Sequence, residues 1–63
     1  MRLISATDVA IAQAIKAGTL TVVERPSRFG DTYFAIADEH GLIEVRLTRA
    51  DVDARLAQIK AAI

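Results

Sequence analysis

The chain has 63 residues, with 8 Lys or Arg and 8 Asp or Glu, so its formal net charge at pH 7 is zero. Hydrophobic residues make up 52% and charged residues 25%, which is typical of a folded domain and argues against a disordered chain. The chain has no cysteine and one histidine, which excludes disulfides and zinc fingers, and we expect neither a metal ion nor a cofactor.

The first predicted element is a helix from residue 6 to residue 17. Ser5 precedes Asp8 by three residues, a spacing at which the Ser hydroxyl accepts from a free amide of the first helical turn and the carboxylate can reach back to the amide of the cap. Ile4 and Val9 have the spacing of a hydrophobic staple across that cap. Gly18 is placed to end the helix.

Three short β-branched or aromatic runs follow, over residues 19–24, 32–37 and 42–47. The first two are joined by residues 25–31, and the last two by Asp38-Glu39-His40-Gly41, which fits a type I turn. Both connections are too short for a crossover helix, so the three strands are predicted to form an antiparallel meander.

Alternation of side chains along each strand predicts which residues share a face of this sheet. The face toward the helices is predicted to carry Leu20, Val22, Phe34, Ile36, Ile43, Val45 and Leu47. The opposite face is predicted to carry Thr21, Val23, Tyr33, Ala35, Ala37, Glu44 and Arg46.

A second helix is predicted from residue 49 to the C-terminus. Thr48 and Asp51 repeat the cap spacing of the first helix, and Leu47 and Val52 repeat the staple. One apolar stripe is formed by Val52, Leu56, Ile59 and Ile63. Asp51 and Arg55 are predicted to pair one helical turn apart, outside that stripe.

The predicted fold is therefore a single α+β domain over residues 1–63. It has two layers and the order α-β-β-β-α, with both helices on one face of the sheet. A domain this small, without disulfides or metal, gains stability from self-association or from a partner.

Two candidate binding surfaces stand out. The loop of residues 25–31 places Arg25, Arg28 and Phe29 at the tip of a hairpin, where guanidinium groups beside a ring suit an acidic protein surface, a phosphate or a base. The alternative is a solvated loop whose Phe29 packs back against the edge of the core. The second surface is the open sheet face, with Val23 and Tyr33 bordered by Arg46, and its alternative is an ordinary half-exposed sheet.

Catalysis is not expected. Asp38 and Glu39 stand beside His40, but a tight turn directs such side chains apart into water, and no nucleophile is spaced to work with them. The three glycines are isolated and form no phosphate-binding loop.

These features favour a small non-enzymatic protein-binding module. Compact inhibitors of a larger protein or complex, such as those that phages carry against host defences, are one class with this profile. A regulatory homodimer is an alternative. The first residues lack a signal peptide and no run is long enough to span a membrane, so we expect a complete cytoplasmic chain.

Nucleic-acid binding is a further alternative. The order α-β-β-β-α and the length are similar to those of the double-stranded-RNA-binding domain, a resemblance that implies binding to RNA. That family carries a run of lysines at the start of its last helix, where this chain has Arg49-Ala50-Asp51-Val52-Asp53. The loop of residues 25–31 contains Pro26 but no histidine.

Overall fold

The computed structural model describes residues 5–63 and confirms the α+β fold with the order α-β-β-β-α. Its five elements are α1 (Ala6–Ala17), β1 (Thr21–Pro26), β2 (Thr32–Asp38), β3 (Gly41–Arg46) and α2 (Arg49–Ala62). The predicted staple between Ile4 and Val9 involves a residue outside the described range.

Both helices begin at the predicted caps. The Ser5 hydroxyl accepts from the Asp8 amide at 3.0 Å, and the Thr48 hydroxyl accepts from the Asp51 amide at 3.1 Å. Each bond satisfies one amide that the first helical turn leaves without a backbone partner. At the other end of α1, Gly18 adopts the left-handed conformation with φ 73°, which Gly reaches at little cost.

The sheet is an antiparallel meander with β2 in the centre and β1 and β3 at its edges. The first strand lies two residues further along the chain than predicted, because Arg25 and Pro26 pair with Tyr33 and Thr32 rather than belonging to the loop. The turn after β2 is held by the Asp38 carboxylate, which accepts from the amides of His40 and Gly41 at 2.8 and 3.1 Å.

The core lies between the two helices and one face of the sheet. Four large side chains are completely buried there: Ile11 of α1, Ile36 of β2, and Val52 and Ile59 of α2. Ile15, Leu20, Val22, Phe34, Ile43 and Leu56 pack around them. The core stripe predicted for α2 is thus confirmed for Val52, Leu56 and Ile59, whereas Ile63 is half exposed.

A β-bulge in β3 changes which residues face the helices. Glu44 is paired with Ile36, but the next partner of β2, Ala37, is paired with Leu42, so Ile43 is an extra residue in the edge strand. Because directly opposed residues share a face, Glu44 lies on the same side as the buried Ile36. The bulge lets both Ile43 and Glu44 point toward the helices.

The predicted faces of β3 are therefore wrong beyond Ile43. Val45 is paired with Ala35 on the open side, and Val45 and Leu47 are 44% and 75% exposed instead of buried. Glu44 and Arg46, predicted on the open side, share the face of Ile36 and Phe34. Simple alternation misses this reversal because one inserted residue shifts the phase of every residue that follows.

Candidate functional site

One face of the sheet has no helix packed against it and is called the open face here. Its residues, read across the strand pairs, are Thr21, Val23, Arg25, Tyr33, Ala35, Ala37, Leu42 and Val45. Val23, Ala35 and Val45 form one continuous row across all three strands. The strand positions of the open face carry no carboxylate.

The open face presents large aliphatic side chains to water. Val23 is 36% exposed and Leu42 is 65% exposed, at opposite edges of the sheet. Ala35 and Ala37 separate these edges with small side chains, which keeps the centre of the face flat. An apolar surface of this kind gains free energy when another surface covers it.

The hairpin between β1 and β2 is fixed by its own hydrogen bonds. The Ser27 amide donates to the Asp31 carbonyl at 2.7 Å, and the Ser27 carbonyl accepts from the Gly30 amide at 3.2 Å. The Ser27 hydroxyl also accepts from the Phe29 amide at 3.0 Å. Gly30 has φ 92°, a conformation that favours glycine, so the turn is closed tightly behind Arg28 and Phe29.

Phe29 is 86% exposed, so it does not pack back against the core, and that alternative from the sequence is wrong. Its ring forms one wall of a shallow concavity that is also lined by Pro26, Ser27, Arg28 and Tyr33. Tyr33 also belongs to the open face, because it is paired with Arg25. The concavity therefore continues the open face toward the hairpin tip.

The arginines of residues 5–63 divide into two groups. Arg46, Arg49 and Arg55 are ion-paired within the chain, with Arg49 bonded to Asp53 at 3.3 Å on the outside of α2. Arg28, which lines the concavity, and Arg25, which is paired with its lining residue Tyr33, have no ion pair or side-chain hydrogen bond within the described part of the chain. Their guanidinium groups stay available to a binding partner.

A partly buried charge cluster connects both helices to β3 on the other side of the sheet. The Arg55 Nε donates to both oxygens of Glu44 at 3.2 and 3.1 Å, and its Nη2 donates to Asp8 of α1. Arg46 Nε donates to Glu44 at 2.7 Å. The prediction that Arg55 pairs with Asp51 is therefore wrong, since Arg55 points into the fold and the exposed helical pair is Arg49 with Asp53.

The charge cluster shifts the protonation of its members. Burial alone would raise the pKa of Glu44, but the hydrogen bonds and charges of Arg46 and Arg55 outweigh burial and lower that pKa below 4.5. Burial would lower the pKa of Arg55, but the hydrogen bonds that Arg55 donates to Glu44 and Asp8, together with the charges of these two carboxylates, outweigh burial and raise it. Glu44 and Arg55 thus stabilise each other's ionised form across the contact between β3 and α2.

The turn of residues 38–41 places the side chains of Glu39 and His40 close together at the surface. His40 Nε2 lies 3.4 Å from Glu39 Oε1, and both side chains are well exposed, at 83% and 63%. Across residues 5–63, no group of three or more His, Cys, Asp or Glu side chains is placed to hold a metal ion.

The structure brings together five of the six residues predicted for partner binding. Val23, Arg25 and Tyr33 lie on the open face, and Arg28 and Phe29 lie in the hairpin beside it. The sixth, Arg46, lies on the helical side, where it is paired with Glu44. Whether any of these residues binds a partner stays a prediction.

The sequence reasoning missed two residues of the open face. Val45 was not a candidate because alternation without the bulge placed it in the core, and Leu42 was assigned to neither face of the sheet. The signal that was present is the doublet Leu42-Ile43, since two adjacent apolar residues at the start of an alternating edge strand are compatible with a bulge.

The fold and this surface define a two-layer α+β domain in which neither helix of residues 5–63 covers the open face of the sheet. Neither helix within residues 5–63 has the length and apolar character needed to cross a membrane. No protein-family model, no curated protein and no solved structure matches the chain.

Proposed function

We propose that this chain is a non-enzymatic protein-binding module that docks its open face and hairpin on a larger protein and acts, as an inhibitor does, by covering that protein's surface. The observation that carries the proposal is the row of Val23, Ala35 and Val45, continued by Leu42, on a face without a covering helix. Apolar side chains spread over three strands favour contact with a complementary surface.

The charges near this surface favour a different protein over a second copy of the chain. A two-fold dimer brings the same patch of both copies together. The open face supplies Arg25 but no strand carboxylate to meet the Arg25 of the other copy, and Asp31 is the one acid of residues 27–31, which join β1 to β2. A partner with its own carboxylates is the better complement.

The same surface favours protein over nucleic acid. Aliphatic side chains such as Val23, Leu42 and Val45 neither stack on bases nor neutralise phosphates. Contacts between cations and phosphates supply most of the affinity for nucleic acids. At the start of α2, where phosphate-gripping cations would be needed for RNA, Arg49 is paired with Asp53. Among the arginines of residues 5–63, only Arg25 and Arg28 are without an acid partner, which is a small cationic surface for binding phosphates.

The test compares capture by three forms of the tagged full chain from lysate of its source, with and without nuclease treatment. The forms are the wild type, Val45→Glu on the open face and Gln13→Glu on the exposed side of α1. A captured protein is then purified and titrated against each form by calorimetry. We expect one protein to bind the wild type and Gln13→Glu equally, with affinity lowered about tenfold or more by Val45→Glu, because a carboxylate would be desolvated in an apolar contact.

Three outcomes would overturn the proposal. One is equal binding by Val45→Glu, which would place the interface elsewhere. Another is capture that disappears with nuclease, which would favour nucleic-acid binding. The third is a stable dimer, detected by light scattering, that Val45→Glu converts to monomers. This result would make the open face a contact between copies of the chain.

A further inference from the structure

We propose that the concavity at the hairpin receives an apolar side chain from an acidic segment of the partner, with Arg25 and Arg28 binding the carboxylates on either side of it. This inference rests on the proposed function and specifies its partner's chemistry. It concerns the hairpin end of the surface, where three apolar side chains (Pro26, Phe29 and Tyr33) lie together.

The apolar part of this recognition comes from ring surfaces. Phe29 and Pro26 expose flat carbon faces on the hairpin, and the half-buried Tyr33 closes the side toward the sheet. Aromatic walls offer large contact areas with few rotatable bonds, so little side-chain freedom is lost when a ligand enters. A single aliphatic or aromatic side chain is the complement of such a shallow site.

The hairpin is prepared for binding before a partner arrives. Ser27 makes three hydrogen bonds, through its amide, its carbonyl and its hydroxyl, and these hold Arg28 and Phe29 at the tip. A loop that is already ordered loses less entropy on association than a flexible one. The exposure of Phe29 is thus a property of an ordered turn.

The charged part comes from guanidinium groups that no carboxylate of residues 5–63 occupies. Arg46, Arg49 and Arg55 are all committed to acids within the chain, so Arg25 and Arg28 are the exceptions. Guanidinium binds carboxylate through two parallel hydrogen bonds, which gives direction as well as attraction. Arg28 lines the concavity, and Arg25 lies next to it as the neighbour of Pro26 and the strand partner of Tyr33. Two cations at one apolar site favour a segment with acids on both sides of its apolar residue.

The test measures fluorescence anisotropy of a labelled peptide in which one Trp is flanked on both sides by Asp and Glu. A second peptide has Gln in place of the acids, and a single-stranded DNA oligonucleotide is the third probe. The proteins are the wild type, R25Q/R28Q, Phe29→Ala and the control Arg49→Gln, whose arginine is already paired. Circular dichroism confirms that each variant folds, which is expected because all four positions are exposed.

We expect the acidic peptide to bind the wild type and Arg49→Gln alike. R25Q/R28Q is expected to lose about tenfold in affinity, since two exposed charge pairs contribute about that much together. Phe29→Ala is expected to lose a similar factor, and added salt is expected to weaken the wild type more than R25Q/R28Q.

Equal binding of the acidic and Gln peptides would overturn the inference, and so would preferential binding of the oligonucleotide. A protein partner that binds R25Q/R28Q as tightly as the wild type but does not bind Val45→Glu would also overturn this inference. The proposed function would stand in that case. If neither R25Q/R28Q nor Val45→Glu binds that protein partner, both the proposed function and this inference are supported.

Discussion

Arg55 of α2 and Glu44 of β3 are joined by two hydrogen bonds, from one guanidinium nitrogen to both carboxylate oxygens, on the helical side of the sheet. This contact is possible because the bulge at Ile43 turns Glu44 inward. The same turn moves Val45 outward. One extra residue thus produces both the charge cluster within the fold and the apolar character of the open face.

The first prediction concerns the cation at the centre of that cluster. Arg55→Ala is expected to lower the free energy of unfolding by about 3 kcal/mol, because it removes a mostly buried guanidinium that lies between two carboxylates. Arg49→Ala, which removes an exposed helical pair, is the control and is expected to cost less than about 0.5 kcal/mol. Urea unfolding followed by circular dichroism checks both, and equal effects of the two changes would contradict the account.

The second prediction tests the bulge itself. Val45→Lys is expected to change the free energy of unfolding by less than about 1 kcal/mol, because position 45 faces water. Glu44→Lys is expected to cost about 3 kcal/mol or more, because it places a third cation between Arg46 and Arg55. A strand without the bulge would bury Val45 and expose Glu44, so Val45→Lys would then cost more stability than Glu44→Lys. Urea unfolding of the two variants therefore distinguishes a bulged β3 from a regular one.

The third prediction concerns pH. The pKa of Glu44 is lower in the folded state than its ordinary value of 4.5, so its contribution to stability is fully present above that pH and is lost as the pH falls through the folded pKa. Glu44→Gln removes this titration. Urea unfolding between about pH 7 and about pH 3 is expected to show a smaller loss of stability for Glu44→Gln than for the wild type. Equal losses would mean that Glu44 does not couple folding to pH.

The fourth prediction concerns the end of α1. Gly18 has φ 73°, and a Cβ there would meet nothing within 4 Å, so any cost of a side chain comes from the backbone conformation alone. Gly18→Ala is expected to cost about 1 kcal/mol in the free energy of unfolding. Gly18→Asn is the matched control and is expected to cost less, because Asn tolerates the left-handed region. Thermal unfolding measures both, and equal costs would contradict this explanation.

The sequence predicted the order of the elements because their signals are local. The hydroxyls of Ser5 and Thr48 bond amides three residues away, and Asp38 bonds amides two and three residues away, so each signal lies within one turn of chain. The antiparallel arrangement followed from the short connections. The limits of β1 were two residues off because pairing of Pro26 with Thr32 depends on the opposite strand.

The candidate site was predicted in part for a related reason. Val23, Tyr33 and the hairpin were found because β1 and β2 keep their alternation. Arg46 was misplaced and Val45 missed, because the bulge is set by contacts that are distant in sequence. Arg55 lies 11 residues from Glu44 and 47 from Asp8, and pattern reading offers no means of matching three charges across such separations.

The most direct test of the central claim is photo-crosslinking in cells of the source organism. Benzoyl-phenylalanine replaces Val45 on the open face, and, as the control, Gln13 on the exposed side of α1. Mass spectrometry then identifies what each position reaches. The account predicts that position 45 crosslinks to one larger protein and that position 13 does not. Crosslinks from position 45 only to another copy of this chain, or to nucleic acid, would contradict it, as would equal yields from the two positions.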